Sequence, residues 1–447
     1  MPEKGTVYIV HSVDTEGPLY ESLQATFDRL SELFSVEMEA SHQNLKKLQN
    51  CEIDLGGREE EVARLLSPEL LGYNDSWDKL EKMHETLLSK EFRHELIDSF
   101  GGGWIFCWFC LDHVGFQTNP RRRDMGYHNI HDRYLEILDR MDSKELDEIQ
   151  WHFHPMSTYK EAHRCATSYV NSPHLHETLC RRIVERNFFP SAFRAGFQTL
   201  RPDSHWFLEQ WIPFDCTNMA LDDPSEFEVH NDFADGRFGD WRRAPSDWRV
   251  YQPDFHDYQK EGSCNRYIGR FLNLKARLCE INQYEVDKAF QKAERGENVL
   301  MGLNNHDFRD MISEVNRVRE FIRQSATKYP EVKFRFSNSV DAFNAVCHDG
   351  KVEDLKLDIR LERQPDRLKV YIKTVEGKVF GPQPYLAIET RSGRFIHDNL
   401  DFGLDGRSWS YCFDTETVPA HDLKRFAVAA NNQFGSQHIE LIEDFQS

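Results

Sequence analysis

Two pairs of metal-capable side chains each lie at the end of an apolar run. Asp14 and Glu16 close the first such run of the chain, and His152 and His154 close a later one. In an extended strand, residues i and i+2 point the same way and lie roughly 6.5 Å apart, so the members of each pair can converge on one ion. Carboxylate and imidazole ligands that leave one position open for water are typical of a hydrolytic metal centre.

Each of these residues also has an ordinary structural interpretation. A single histidine among the 20 in the chain is more often a satisfied polar residue than a metal ligand. Asp14 alone can cap a helix. The presence of both pairs at predicted strand ends favours the metal centre over these alternatives.

Composition restricts the possible partners. The 447 residues carry a formal net charge of −20, and an acidic surface repels phosphate backbones, so nucleic acid is not expected as a general partner. No run approaches the roughly 18 apolar residues of a membrane helix, so membrane insertion is not expected. The first residues lack the apolar core of a signal peptide, and ten cysteines form no disulfide framework; both features predict a cytoplasmic protein.

Predicted strands alternate with predicted helices over most of the chain, which indicates a parallel α/β fold. Polar residues such as Asp112 and His306 follow these strands directly, which favours a barrel with its site at the carboxyl ends of the strands. The seven predicted strands are 6–13, 104–111, 148–155, 191–194, 214–217, 299–303 and 332–336.

The domain prediction is a barrel over residues 1–348 and a β-sandwich over 349–447. Residues 20–97 show a polar helical pattern and are predicted to be an insertion between the first two strands, acting as a lid or an oligomer contact. After Gly350 the pattern changes to short strands separated by turns, which predicts the sandwich.

The motifs resemble those of the polysaccharide deacetylase family, the NodB-homology type of carbohydrate esterase. Its members have a distorted (β/α) barrel that carries a divalent metal. The segment from Ser12 to Gly17 resembles the family's first motif, which supplies a catalytic base and a metal ligand; the resemblance implies Asp14 as base and Glu16 as ligand. The segment from Glu148 to Pro155 is similar to the second motif, and here the implied ligands are His152 and His154.

Two later motifs extend the resemblance. The segment Phe193 to Phe197 resembles the motif whose arginine orients the base, which implies this role for Arg194. The segment Leu303 to Asp307 is similar to the last motif, which implies His306 as proton donor. This chain departs from the family pattern because Thr15 separates the two acids and because the histidines are two rather than four residues apart. Which of the two acids contacts the metal therefore stays open.

Three further residues are predicted to contact substrate. Asp112 and Asp307 follow predicted strands, and Trp241 lies in the aromatic-rich segment 218–262, where an indole can stack on a sugar ring or simply anchor a loop.

The resemblance implies a hydrolase, with zinc as the default ion, that removes an N-acyl group from a sugar during assembly of a bacterial surface polysaccharide. Two alternatives stay open: a carbohydrate-binding pseudoenzyme without metal, and a hydrolase of a formyl group or a non-sugar amide. A homo-oligomer is possible.

Overall fold

The computed structural model describes residues 4–154, 169, 172, 174–223, 225, 239–276 and 278–443. Pro155, at the end of the second predicted motif, and most of 224–238 within the aromatic-rich segment lie outside these residues.

Seven parallel strands close into a barrel, and the first strand is central to it. Strand β1 pairs with β7 along one edge, and residues His11–Thr15 of its other edge pair with β2. Strand β8 (Lys333–Phe336) pairs with the first half of that same edge, outside the closed ring. The barrel strands are β1 (Thr6–Thr15), β2 (Phe106–Cys110), β3 (Glu148–Phe153), β4 (Ala192–Ala195), β5 (Phe214–Asn218), β6 (Tyr267–Asn273) and β7 (Val299–His306).

The predicted architecture, an α/β barrel followed by antiparallel sheets, is confirmed, but one strand was placed wrongly. The segment 332–336 was predicted to follow in the barrel series and lies outside the ring as β8, while β6 was missed. Gly269 and Arg270 interrupt the apolar pattern of β6. Arg270 is buried there because its guanidinium donates to Glu285 over 2.7 and 3.0 Å.

Six helices lie between β1 and β2, in the region where a helical insertion was predicted. Serine side chains cap several of them; Ser22, for example, accepts a hydrogen bond from the amide of Ala25. These helices are α1 (Leu23–Phe34), α2 (His42–Gln49), α3 (Glu59–Leu65), α4 (Pro68–Leu71), α5 (Trp77–Leu87) and α6 (Lys90–Arg93).

The remaining helices cover the outside of the barrel. In the described part of the chain, none is both long enough and apolar enough to cross a membrane. They are α7 (Asn129–Arg140), α8 (His174–Arg186), a short 3-10 helix (Gly196–Gln198), α9 (Pro202–Trp211), α10 (Gln283–Glu294), α11 (Met311–Lys328) and α12 (Ser339–Cys347).

The C-terminal region forms two antiparallel sheets of four strands each. Apolar side chains that alternate along the strands, such as Val370 in one sheet and Ile388 in the other, form a common buried core. One sheet has the order β13 (Asp401–Phe402), β14 (Ser408–Phe413), β10 (Arg367–Glu376), β9 (Lys356–Gln364); the other has the order β12 (Phe395–Asp398), β11 (Tyr385–Thr390), β15 (Leu423–Asn431), β16 (Gln437–Ile442).

Helix α8 packs against β11 and β12 and joins the barrel to the sandwich. The His176 imidazole lies 3.0 Å from the hydroxyl of Tyr385 and stacks on His397, with ring centroids 4.8 Å apart. Burial lowers the pKa of His176 to about 4 and that of His397 to about 3. Both imidazoles are therefore neutral in the folded protein at neutral pH.

The junction predicts a pH dependence of stability. Between about pH 6.5 and pH 4 the unfolded chain binds protons at His176 and His397 that the folded chain does not, so the free energy of unfolding falls as pH falls through this window. We expect the melting temperature of His176→Phe and that of His397→Phe to fall less between pH 7 and pH 5 than the melting temperature of the native chain. His256→Phe, at an exposed position, is the control. A decline as steep as that of the native chain in both junction variants would contradict the prediction.

Candidate metal centre

Three predicted ligands meet at the carboxyl-terminal rim of the barrel. One nitrogen or oxygen atom from each of Glu16, His152 and His154 lies within 4.8 Å of the others. The Nε2 atoms of the two histidines are 3.0 Å apart, and Oε1 of Glu16 is 3.6 Å from Nε2 of His154. Atoms that share one tetrahedral ion through bonds of about 2.1 Å lie about 3.4 Å apart, so this group could hold a metal ion.

His152 is fixed in the form that a metal requires. Its Nδ1 lies 2.9 Å from the main-chain carbonyl of Arg194 and donates to it, which leaves the lone pair of Nε2 directed toward His154. Burial, together with the nearby His154 and Arg194, holds the pKa of His152 well below its usual value. A neutral imidazole with an unprotonated Nε2 fits a metal ligand.

Glu16 is held as a carboxylate. Burial alone would raise its pKa, but Arg123, whose Nη2 lies 2.5 Å from Oε2 of Glu16, and His154 together bring that pKa well below its usual value. The main chain is held as well, because the amides of Glu16 and Gly17 donate to the carboxylate of Asp307 over 3.0 and 2.8 Å. Oxygen Oε1 of Glu16 therefore faces the histidines while Oε2 is held by Arg123.

Asp14 has a different set of partners from Glu16. Nε of Arg194 donates to Oδ1 of Asp14 over 2.6 Å, and the amide of Asn304 donates to Oδ2 over 3.2 Å. Arg194 is itself held by a 2.6 Å bond to the carbonyl of Cys216. Glu16 is thus the acid that groups with the two histidines, whereas Asp14 is the acid that Arg194 orients.

His306 lies between the two acids. Its Nε2 is 3.7 Å from Oδ2 of Asp14 and 3.7 Å from Oε1 of Glu16. Burial lowers the pKa of His306 to about 4, although both acids act in the opposite direction. The imidazole is therefore neutral at pH 7 and is close enough to exchange a proton with Asp14 through a small movement.

One cavity of about 170 Å³ is lined by five of these residues: Asp14, Glu16, His152, His154 and His306. Arg194 does not line it. The barrel supplies its floor, and the helical insertion supplies part of its wall through Leu65, Leu70 and Tyr73. The rings of Phe197 and Phe308 contribute further apolar surface, together with Ala276 and Leu278. Such a mixture of aromatic surface and a few convergent polar groups is typical of small-molecule sites.

The structure does not bring the three predicted substrate contacts to this cavity. Asp112 accepts two hydrogen bonds from Arg182, over 3.0 and 3.1 Å, in a buried ion pair. Trp241 is fully buried, and its indole donates to the carbonyl of Gln198 over 2.9 Å, so it anchors a segment rather than offering a stacking face. Asp307 is fully buried beneath the chain that follows β1 and positions Glu16 instead of facing a ligand.

Arg123 is a site residue that was not predicted from the sequence. It belongs to the basic turn Arg121-Arg122-Arg123, which stands out in an acidic chain but carries no spacing that points to a metal. Only its contact with Glu16 in the folded chain reveals its place.

We expect the candidate metal centre to bind about one divalent ion per chain, and zinc is the first ion to test. We expect His152→Ala and His154→Ala each to abolish copurification of the metal, because either change removes one of the three ligands. His176→Phe, which removes a half-buried imidazole that does not line the cavity, is the matched control and should retain the metal. Metal analysis by mass spectrometry after gel filtration measures both. Equal metal content in all variants would show that the ion binds elsewhere.

Substitution of Gly196 provides a second test, which leaves every candidate ligand in place. A Cβ atom at this position would lie 2.3 Å from Cδ2 and 2.9 Å from Cα of His154, so His154 has to move. We expect Gly196→Ala to weaken metal affinity about 10- to 100-fold, as displacement of a supporting group does. Competition with a chelator measures the affinity, and circular dichroism checks that the variant is folded. Unchanged affinity in a folded variant would mean that His154 is not a ligand.

Comparison of the chain with family models, with curated proteins and with solved structures found no match in any of the three. The functional conclusion therefore depends on the site geometry and on the sequence motifs.

Proposed function

We propose that the protein is a metal-dependent hydrolase that removes an N-acyl group, an acetyl group by first choice, from a sugar. The reaction cleaves the amide C–N bond; water supplies the hydroxyl of the released acid and the proton of the released amine. The observation that carries the proposal is the buried group of Glu16, His152 and His154 beside an acid that an arginine orients. The resemblance to polysaccharide deacetylases supports the sugar and a place in surface-polysaccharide assembly.

The three ligands fit a divalent ion of the zinc type, which accepts nitrogen and carboxylate donors. When bound, such an ion polarises a carbonyl oxygen and lowers the pKa of a water molecule to about 7. Arg123 holds Oε2 of Glu16, and the Arg194 carbonyl accepts from Nδ1 of His152, so these two atoms are already occupied. The mixed ligand set leaves room for water and substrate on the cavity side.

Asp14 is the general base in this proposal. Arg194 and Asn304 hold its two oxygens, so the carboxylate does not need to reorient when it takes a proton from water. Arg194 is not among the residues that line the cavity and acts as a positioning residue for Asp14.

His306 is the proton donor to the leaving amine. Burial lowers its pKa to about 4, so the imidazole is neutral at the start of the reaction. The proton that it delivers must arrive during the reaction, and Asp14, 3.7 Å away, is the group that can pass it on. The base and the acid therefore act in sequence on one proton.

Substitution of these two residues separates chemistry from metal binding. We expect Asp14→Asn and His306→Gln each to lower kcat by about 10²- to 10⁴-fold while the metal content is unchanged. Release of acetate from a panel of N-acetylated sugars and sugar nucleotides, with the zinc-loaded chain, measures the activity. Formylated sugars and non-sugar amides extend the panel and test the alternative substrates.

His256→Gln is the matched histidine control and should keep full activity, since it is exposed and outside the cavity. A chain that binds zinc through Glu16, His152 and His154 but releases no acid from any compound in the panel would overturn the proposal. A carbohydrate-binding role would then be favoured.

A further inference from the structure

The cavity is rich in arginine although the chain as a whole is strongly acidic. Among the described residues, four arginines from three different parts of the fold line it together with two carboxylates, those of Asp14 and Glu16. The chain carries a net charge of −20, so this is a local reversal of charge. The four are Arg29, Arg121, Arg123 and Arg309.

Two of these arginines build the wall. Arg29 and Arg121 both form ion pairs with Glu21, with Nε–Oε1 distances of 3.0 and 3.3 Å. The hydroxyl of Tyr73 also donates to Glu21, over 3.1 Å. These contacts attach the insertion to the basic turn, so they explain Arg29 and Arg121 without a ligand.

Arg123 retains a donor that no described residue accepts from. The side chain is only 9% exposed, and Nη2 is taken by Glu16, but among the described residues the buried Nη1 has no hydrogen-bond partner. The guanidinium lies 4.7 Å from the ring centroid of Phe308. A buried N–H group beside a cavity, without an acceptor, is available to an oxygen of a ligand.

Arg309 lies against the same ring and is also incompletely paired. Its guanidinium is 5.9 Å from the ring centroid of Phe308. Its Nη1 donates to the carbonyl of Lys275 over 3.4 Å, and its Nε is buried without a hydrogen-bond partner. Within the described part of the chain, no carboxylate forms an ion pair with Arg309.

We infer that the substrate carries an anionic group, a carboxylate or a phosphate, which binds to Arg123 and Arg309 beside Phe308. The planar guanidinium matches both anions through paired N–H groups. The inference rests on the proposed function for the other end of the substrate, whose acyl group lies at Glu16, His152 and His154. It narrows the substrate class from N-acylated sugars in general to acidic ones, either uronic acids or phosphorylated sugars.

Matched sugars test the inference by binding alone. The probes are N-acetylglucosamine, its 6-phosphate, and the N-acetylated hexosaminuronic acid, each titrated calorimetrically into the full chain at low ionic strength. We expect at least one of the acidic sugars to bind about tenfold more tightly than the neutral one, as charge-assisted hydrogen bonds provide. The two acidic probes distinguish a carboxylate from a phosphate.

Arg309→Gln is the decisive variant, because Arg309 lies outside the candidate metal ligands and their direct partners. It should remove the advantage of the acidic sugar and leave the affinity for the neutral sugar unchanged. Arg122→Gln is the matched control: Arg122 belongs to the same basic turn, is exposed and does not line the cavity. Equal affinity for neutral and acidic sugars, or an advantage that survives in Arg309→Gln, would overturn the inference.

The failure of this inference differs from the failure of the proposed function. If acidic sugars bind through Arg309 but no acid is released from them, the anion site stands and the hydrolase proposal fails. If neutral sugars are hydrolysed with the same kcat/KM as acidic ones, the hydrolase stands and the anion site fails.

Discussion

Closure of the barrel by parallel strands is the constraint on which the site depends. β1 pairs with β7 on one edge and with β2 on the other, and β2 in turn pairs with β3. Because all of these strands run in the same direction, the residues that follow them lie on the same rim. Glu16 after β1 and His154 after β3 therefore meet although they are far apart in the sequence. An antiparallel β3 would have placed its end at the opposite side of the barrel.

Buried polar contacts hold this rim in a fixed arrangement before any ligand binds. Asp14 and Arg194 are both fully buried, and such a pair is tolerated only where the remaining donors and acceptors are also met. Cys216 and Asn304 supply these contacts through a carbonyl and an amide. Burial raises the pKa of Asp307 to about 7, while the hydrogen bonds from the amides of Glu16 and Gly17 act in the opposite direction. Groups held in this way do not need to reorganise during a reaction.

Features of the molecule that depend on residue type and local spacing could be predicted from the sequence. The i, i+2 pairs identified Glu16, His152 and His154, and the alternation of strands and helices indicated the barrel. Strand β6 was missed because the burial of Arg270 depends on tertiary partners, Glu285 and the carbonyl of Ala220, that lie outside the strand. Asp112, Asp307 and Trp241 were assigned to substrate because they have suitable chemistry near strand ends or in a long loop. Their burial depends on tertiary partners that no local pattern encodes.

The helical insertion and the arginines both contribute to the lining of the cavity. Leu65, Leu70 and Tyr73 line the cavity, and apolar surface beside a charge lowers the local dielectric and makes that charge more effective. The acidic surface of the chain repels anions from outside, but salt at physiological strength screens that repulsion beyond about 8 Å. Inside the cavity the nearest charges decide, and Arg123 and Arg309 are among the residues that line it. A chain that is acidic overall thus has a local concentration of arginines around this cavity.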